Sequence, residues 1–247
     1  TTIVPTGTTY TWTVAPNADV TGESDQTVGQ SNISQPLTNT SNTVQTVVYT
    51  VTPKSGSCTG ATFTVTVTVN PRSTVDVISN QAVCAGSAVS AINISGTVSS
   101  TAFTWSNNTT SIGLAASGTG NIASFTGLNT TNIPVTATVT VTPTYTNNTV
   151  ACSGTTATFN ITINPKPVIA NKSAIICSGA AFTVTPTNGS GNIVPSGTTY
   201  TWTVVDNSNV TGESNNNTPA NSIGQNLTNN SNLVQTVVYT VTPVSGD

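Results

Sequence analysis

The sequence has no histidine and no methionine, and only 4% of its 247 residues are charged. Without histidine, the Ser-His-Asp and Cys-His arrangements of nucleophilic catalysis cannot be built within it. Its four Lys and Arg residues form no basic patch, so neither nucleic-acid phosphates nor an anionic membrane surface is an expected partner. The net charge of −3 is too small to steer a charged ligand over distance. No stretch reaches the roughly 20 apolar residues that span a bilayer. None has the layout of a signal peptide, and direct membrane insertion of this segment is not expected. Helical spacing is missing as well: apolar residues nowhere recur at i, i+3 and i+4 over the length of a helix.

What remains is Thr, Asn, Ser, Val and Gly, with an apolar share of 35% laid out in strict alternation. Val65, Val67 and Val69 fall on one face of a strand, with Thr64, Thr66 and Thr68 on the other. Phe159, Ile161 and Ile163 repeat that pattern, as do Val47, Tyr49 and Val51, and Ala137, Val139 and Val141. In YTWTV, Tyr10, Trp12 and Val14 share a face, matched by Phe103 with Trp105 and by Tyr200, Trp202 and Val204. β-Branched residues are stiff at χ1 and favour the pleat. Trp12, Trp105, Trp202, Tyr49 and Tyr239 are therefore read as core framework. Clusters such as TNTSN, SNNTT and TNNTV separate the strands.

The decamer VQTVVYTVTP occurs at Val44–Pro53 and again at Val234–Pro243, an offset of 190 that extends ungapped from Ile3 against Ile193 onward. A fainter repeat, TVTVTVNP ending at Pro71 and TFNITINP ending at Pro165, lies 94 residues apart. Self-similarity at a fixed period sets architecture before any residue chemistry does. The expected layout is a partial unit over 1–71, a whole unit over 72–165 and a partial unit over 166–247, within a longer array. The first would lack its early strands and the third its last. Short strands, one inward Trp and a unit of about 95 residues describe an all-β chain of tandem immunoglobulin-like sandwiches. Proline-marked boundaries without glycine-rich spacers predict an extended rod.

The four cysteines include no CxxC, which disfavours a metal site. Cys84 and Cys152 both fall in the whole unit, so a disulfide is expected between them, with Cys58 and Cys177 finding partners outside the chain; a bridge between Cys58 and Cys84 across the unit boundary is the alternative. Such a bridge would stabilise by about 4 kcal/mol through the denatured state and imply an oxidising, extracellular compartment.

The series ICSG (Ile176–Gly179), YTWTV (Tyr200–Val204), VTG, I-x-Q-x-L-x-N (Ile223–Asn229), VVYTVTP (Val237–Pro243), CTG (Cys58–Gly60) and VTVNP (Val67–Pro71) resembles the PKD-like repeats of giant Bacteroidetes surface proteins. Such repeats occur in long flavobacterial adhesins similar to the SprB gliding-motility adhesin, exported by type IX secretion. The resemblance spans the chain. It implies an immunoglobulin-like spacer in a cell-surface filament, with framework motifs and no catalytic residues to carry over. The middle unit departs from the pattern, with FTWSN at Phe103–Asn107 and no VTGES.

Candidate ligand sites are few. Asp19, Glu23 and Asp25 cluster like the start of a calcium loop, but their counterparts are Asn209, Glu213 and Asn215, which favours a solvated loop. The tryptophans could stack on sugars, although their parity places them inside. Asn-x-Ser/Thr triplets at Asn32, Asn39, Asn93, Asn160, Asn209 and Asn226 mark polar surface. Outward Thr-x-Thr ladders raise ice binding, which the twist of sandwich strands opposes. No cofactor is expected. The function read from these residues is a non-enzymatic stalk, its partners being neighbouring repeats and, through lateral association, other rods or surface polysaccharide. The alternatives are a carbohydrate- or protein-binding module and an accessory region of a secreted enzyme.

Overall fold

The structure, a computed structural model, describes residues 3–245. Apart from a single 3-10 turn at Thr110–Ile112, its elements are strands, and their hydrogen bonds fall into three groups that follow one another along the chain.

The first group holds β1 (Thr9–Val14), β2 (Val20–Thr21), β3 (Gln26–Gln30), β4 (Thr38–Asn39), β5 (Gln45–Ser55), β6 (Cys58–Thr59) and β7 (Phe63–Val69). Strand β5 is the centre of its main sheet, flanked on one side by β1 with β3 beyond it and on the other by β6 and β7, while β2 and β4 pair separately. The antiparallel register sets Trp12 against Val51 and Tyr49 against Val65, and the alternation then buries Trp12, Val47, Tyr49 and Val51 together.

The second group comprises β8 (Gln81–Cys84), β9 (Ala88–Val89), β10 (Ala102–Asn107), β11 (Ser117–Thr119), β12 (Phe125–Thr126), β13 (Val135–Asn147), β14 (Val150–Ser153) and β15 (Ala157–Asn164). One sheet runs β11-β10-β13-β15-β8 and the short β9–β12 pair forms a second sheet, prolonged by the bridge between Ile92 and Ile122. Between them lies the largest core of the chain, including Trp105, Val139, Val141, Phe159, Ile161 and Ile163. The inward parities read from the sequence hold: Ala137, Val139, Val141, Ile161 and Ile163 are fully buried. Strand β8 runs parallel to β15. The segment before it traverses the length of the unit, touching Gly154 at Ser73, Ser95 at Asp76 and Asn160 at Asn80.

The third group contains β16 (Ala180–Val184), β17 (Thr199–Val204), β18 (Val210–Thr211), β19 (Asn216–Ala220), β20 (Ile223–Asn229) and β21 (Tyr239–Val244). Its sheets are β16-β20-β18 and β19-β17-β21. Strand β21 matches β5 and β13. Among the described residues no strand lies on the edge of β21 that β7 and β15 occupy in the other two groups.

The expected pairing of Cys84 with Cys152 does not form; all four thiols are free. Cys84 lies opposite Asn164, just past the Val135 end of β13, and Cys152 lies opposite Tyr145 near the other end. Eleven residue steps of strand separate those positions, about 36 Å, whereas a disulfide needs Cα atoms within about 7 Å. Both cysteines fall in one unit, 13 residues from Pro71 and from Pro165 respectively, yet they stand at opposite ends of the sandwich.

Candidate functional site

The acidic cluster braces a loop. Asp25 accepts the Val14 backbone N–H through Oδ1 at 2.8 Å, and Glu23 accepts that of Asn17 through Oε1 at 3.2 Å. In the third unit Asn215 accepts the Val204 N–H at the same 2.8 Å, and Glu213 holds Asn207 as Glu23 holds Asn17. Only an acceptor oxygen is needed at the position of Asp25, which is why an amide can replace the carboxylate. Among the described residues no group of three or more Asp, Glu, Cys or His is placed to hold a metal.

Behind this loop sits a network repeated in the first and third units. The Trp12 indole N–H donates to the Ser24 carbonyl at 3.0 Å, and the Tyr49 hydroxyl donates to Gln35 Oε1 at 2.7 Å. The Gln35 amide in turn donates to the same Ser24 carbonyl at 2.9 Å. Trp202, Ser214, Gln225 and Tyr239 repeat these bonds. Burial pushes the Tyr49 and Tyr239 phenols above their ordinary value, with the nearby charges of Glu23 and Glu213 adding to it; burial alone raises Tyr200. The middle unit has no VTGES loop, so the Trp105 indole N–H is buried without a partner, and Gly118 lies so close beneath the ring that a Cβ there would collide with it. All three tryptophans are buried, so none offers a sugar platform. Outward hydroxyls partly pair across strands, as between Thr136 and Thr162 at 2.9 Å.

One of the triplet asparagines read as polar surface is instead a buried clip. The Asn39 amide donates to the carbonyls of Thr43 and Val69, tying the turn before β5 to the end of β7. Asn129 does the same with Ile133 and Ile163 at the end of β15. Asn229 reaches Leu233, and among the described residues no strand offers it a second carbonyl. The periodic sequence I-x-Q-x-L-x-N carried this signal: Gln serves the Trp–Tyr network and Asn serves the last strand.

Beside β21 lies a groove of about 830 Å³, lined by Ile169, Phe182, Tyr200, Ile223, Tyr239 and Val241 among others. Val47, Tyr49 and Val51 are at most 2% exposed in the first unit, while the matching Val237, Tyr239 and Val241 are only half-buried. Val234 and Val238, beside the same edge, are 95% and 67% exposed. Among the described residues no strand pairs with this edge of β21, and the groove is an apolar strand slot.

Among curated proteins none matches the chain. Among solved structures, that of the surface layer protein SbsC, domains 1–6, is similar at 14% identity and a TM-score of 0.26, over 96% of this chain. The chain spans 32% of that structure's length. The PKD-like domain family matches residues 1–73 and 173–247, more than half of the chain, and leaves out the middle unit whose loops depart from the repeat pattern. The repeated Trp–Gln–Tyr network, the asparagine clips and this match lead to one conclusion: the chain belongs to the PKD-like domain family.

Proposed function

We propose that this chain is a stretch of stalk in a long, repetitive bacterial surface adhesin, of the kind found in Bacteroidetes that move by gliding or attach to surfaces. The observation that carries the reading is the use to which the repeated side chains are put. The Trp, Gln, Tyr and Asn positions shared between units brace loops and strands. Where the first unit meets the second, the Asn147 amide donates to Asn70 Oδ1 at 2.8 Å, so linker and next unit touch directly. A chain whose recurring chemistry holds sandwiches together, end to end, supports spacing and rigidity. No helix among the described residues is long and apolar enough to cross a membrane, and export by type IX secretion to the cell surface belongs to the same reading. Immunogold electron microscopy with an antibody to residues 72–165 tests it. Label spaced along fibres projecting from source cells is the expected result, and label confined to soluble material in the medium would overturn it.

A further inference from the structure

The four cysteines sort by position into two kinds. Cys58 pairs with Ser55 on the hairpin β5–β6, and Cys152 pairs with Tyr145 on the hairpin β13–β14. These hairpins lie at the end of each unit where the preceding unit would join, because β7 and β15 then run the whole length away from them. Cys84 is of the other kind. It lies at the far end, opposite Asn164, and Cys177 is its counterpart in the third unit's CSG. Within one unit the two kinds are a sandwich length apart.

Across a junction they meet. The Asn70 amide is 3.6 Å from Cys152 Sγ, so the asparagine ending one unit lies against the hairpin cysteine of the next. Asn70 and Asn164 are equivalent, each closing the last strand before a proline. Beside Asn164, on the adjacent parallel strand, stands Cys84. Paired residues of a parallel ladder project to the same face. Val83 and Ile163 face inward beneath Gly127, so Cys84 and Asn164 project outward together. Superposing the two observations puts the cysteine on the β8-type strand of one unit next to the hairpin cysteine of the unit after it.

We propose that consecutive units are cross-linked by a disulfide between these two positions: Cys84 with the hairpin cysteine of the following unit, and Cys152 with the Cys84 counterpart of the unit before. Each bond forms from two thiols, which lose two protons and two electrons to a disulfide oxidant such as oxidised glutathione, itself reduced to two thiols. The inference rests on the proposed reading of the chain as a stretch of a tandem array, whatever that array carries at its tip. Its mechanical consequence follows from connectivity. Tension entering a unit at residue 72 leaves at Cys84, and tension entering at Cys152 leaves at residue 165. These two short segments include the parallel, hydrogen-bonded strands β8 and β15, both already extended. Residues 85–151 stand outside the load path.

The test copies residues 58–71 onto the end of the chain, which completes the third unit and supplies a hairpin cysteine after Asp247. After exposure to oxidised glutathione, non-reducing peptide mapping should find Cys84 joined to the added cysteine and two fewer free thiols. Cys84→Ser should leave the added cysteine reduced. At the other junction, Asn70→Cys in the chain without the extension should bond to Cys152, a result independent of whether the third unit closes. Capture of the added cysteine by Cys177, or free thiols at both junctions, overturns the proposal.

Discussion

At the scale of single residues, this protein satisfies its polar groups with amides where many proteins use charges. Asn129 places one amide between two carbonyls, at 2.8 Å from each, and holds the turn before β13 to the end of β15. Leaving buried acceptors unpaired costs about 1–3 kcal/mol each. Asn129→Ala should therefore destabilise the middle unit by roughly 2–4 kcal/mol, and Asn229→Ala, which removes one amide-to-carbonyl bond at an exposed site, by clearly less; denaturant unfolding of the two variants checks the order. The tyrosines predict an alkaline limit. Burial favours the neutral phenols of Tyr49, Tyr200 and Tyr239, so the folded chain keeps those protons above the ordinary value of 10.0. Their contribution to stability is intact below that value and is lost as pH rises from it through the folded values. Melting temperature should fall across that window in step with phenolate absorbance, and Tyr49→Phe should soften the fall.

At the scale of elements, the inward and outward parities of β1, β5, β7, β10, β13 and β15 were legible from the alternation of Val, Ile, Phe and Trp with Thr and Asn. Period two leaves a strand no other way to bury its apolar half. The parallel strand β8 was not legible. QAVC is only four residues long, and its neighbour is fixed by the path of residues 72–80 along the unit, which no local pattern encodes. The 3-10 turn at Thr110–Ile112 was likewise unmarked, although it buries Ile112 completely. The acidic cluster was legible, but its bracing role was not: Asp25 Oδ1 and Glu23 Oε1 each accept a backbone N–H, a partnership no local pattern encodes. Strand β11 carries its own prediction. Gly118 sits under the Trp105 ring because a methyl group there has no room, so Gly118→Ala should cost about 1–3 kcal/mol by overpacking, read as a lowered denaturant midpoint.

At the scale of the whole molecule, the position of the cysteines decides how the array would respond to force. A middle unit without cross-links has 94 residues to release between 72 and 165, a lengthening of roughly 290 Å once its folded span of about 40 Å is subtracted. A unit linked at both ends has only its two extended segments between the points of attachment and should lengthen by almost nothing. Force spectroscopy on tandem units is expected to show the long steps only with reductant present. Equal steps with and without reductant would mean that the bonds lie elsewhere.

The sequence by itself determined the repeat, the all-β class, the core parities and the family, because each is written in spacing along the chain: 190 and 94 residues between units, two between neighbouring core positions of a strand. Only the tertiary structure decided which cysteines can meet. Position in sequence says that Cys84 and Cys152 share a unit, while the direction of β8 and the antiparallel return of β13 into β14 carry them to opposite ends of it. Chain distance counts residues, but a disulfide depends on the few ångströms between two sulfurs, and that separation is fixed by which strands lie side by side.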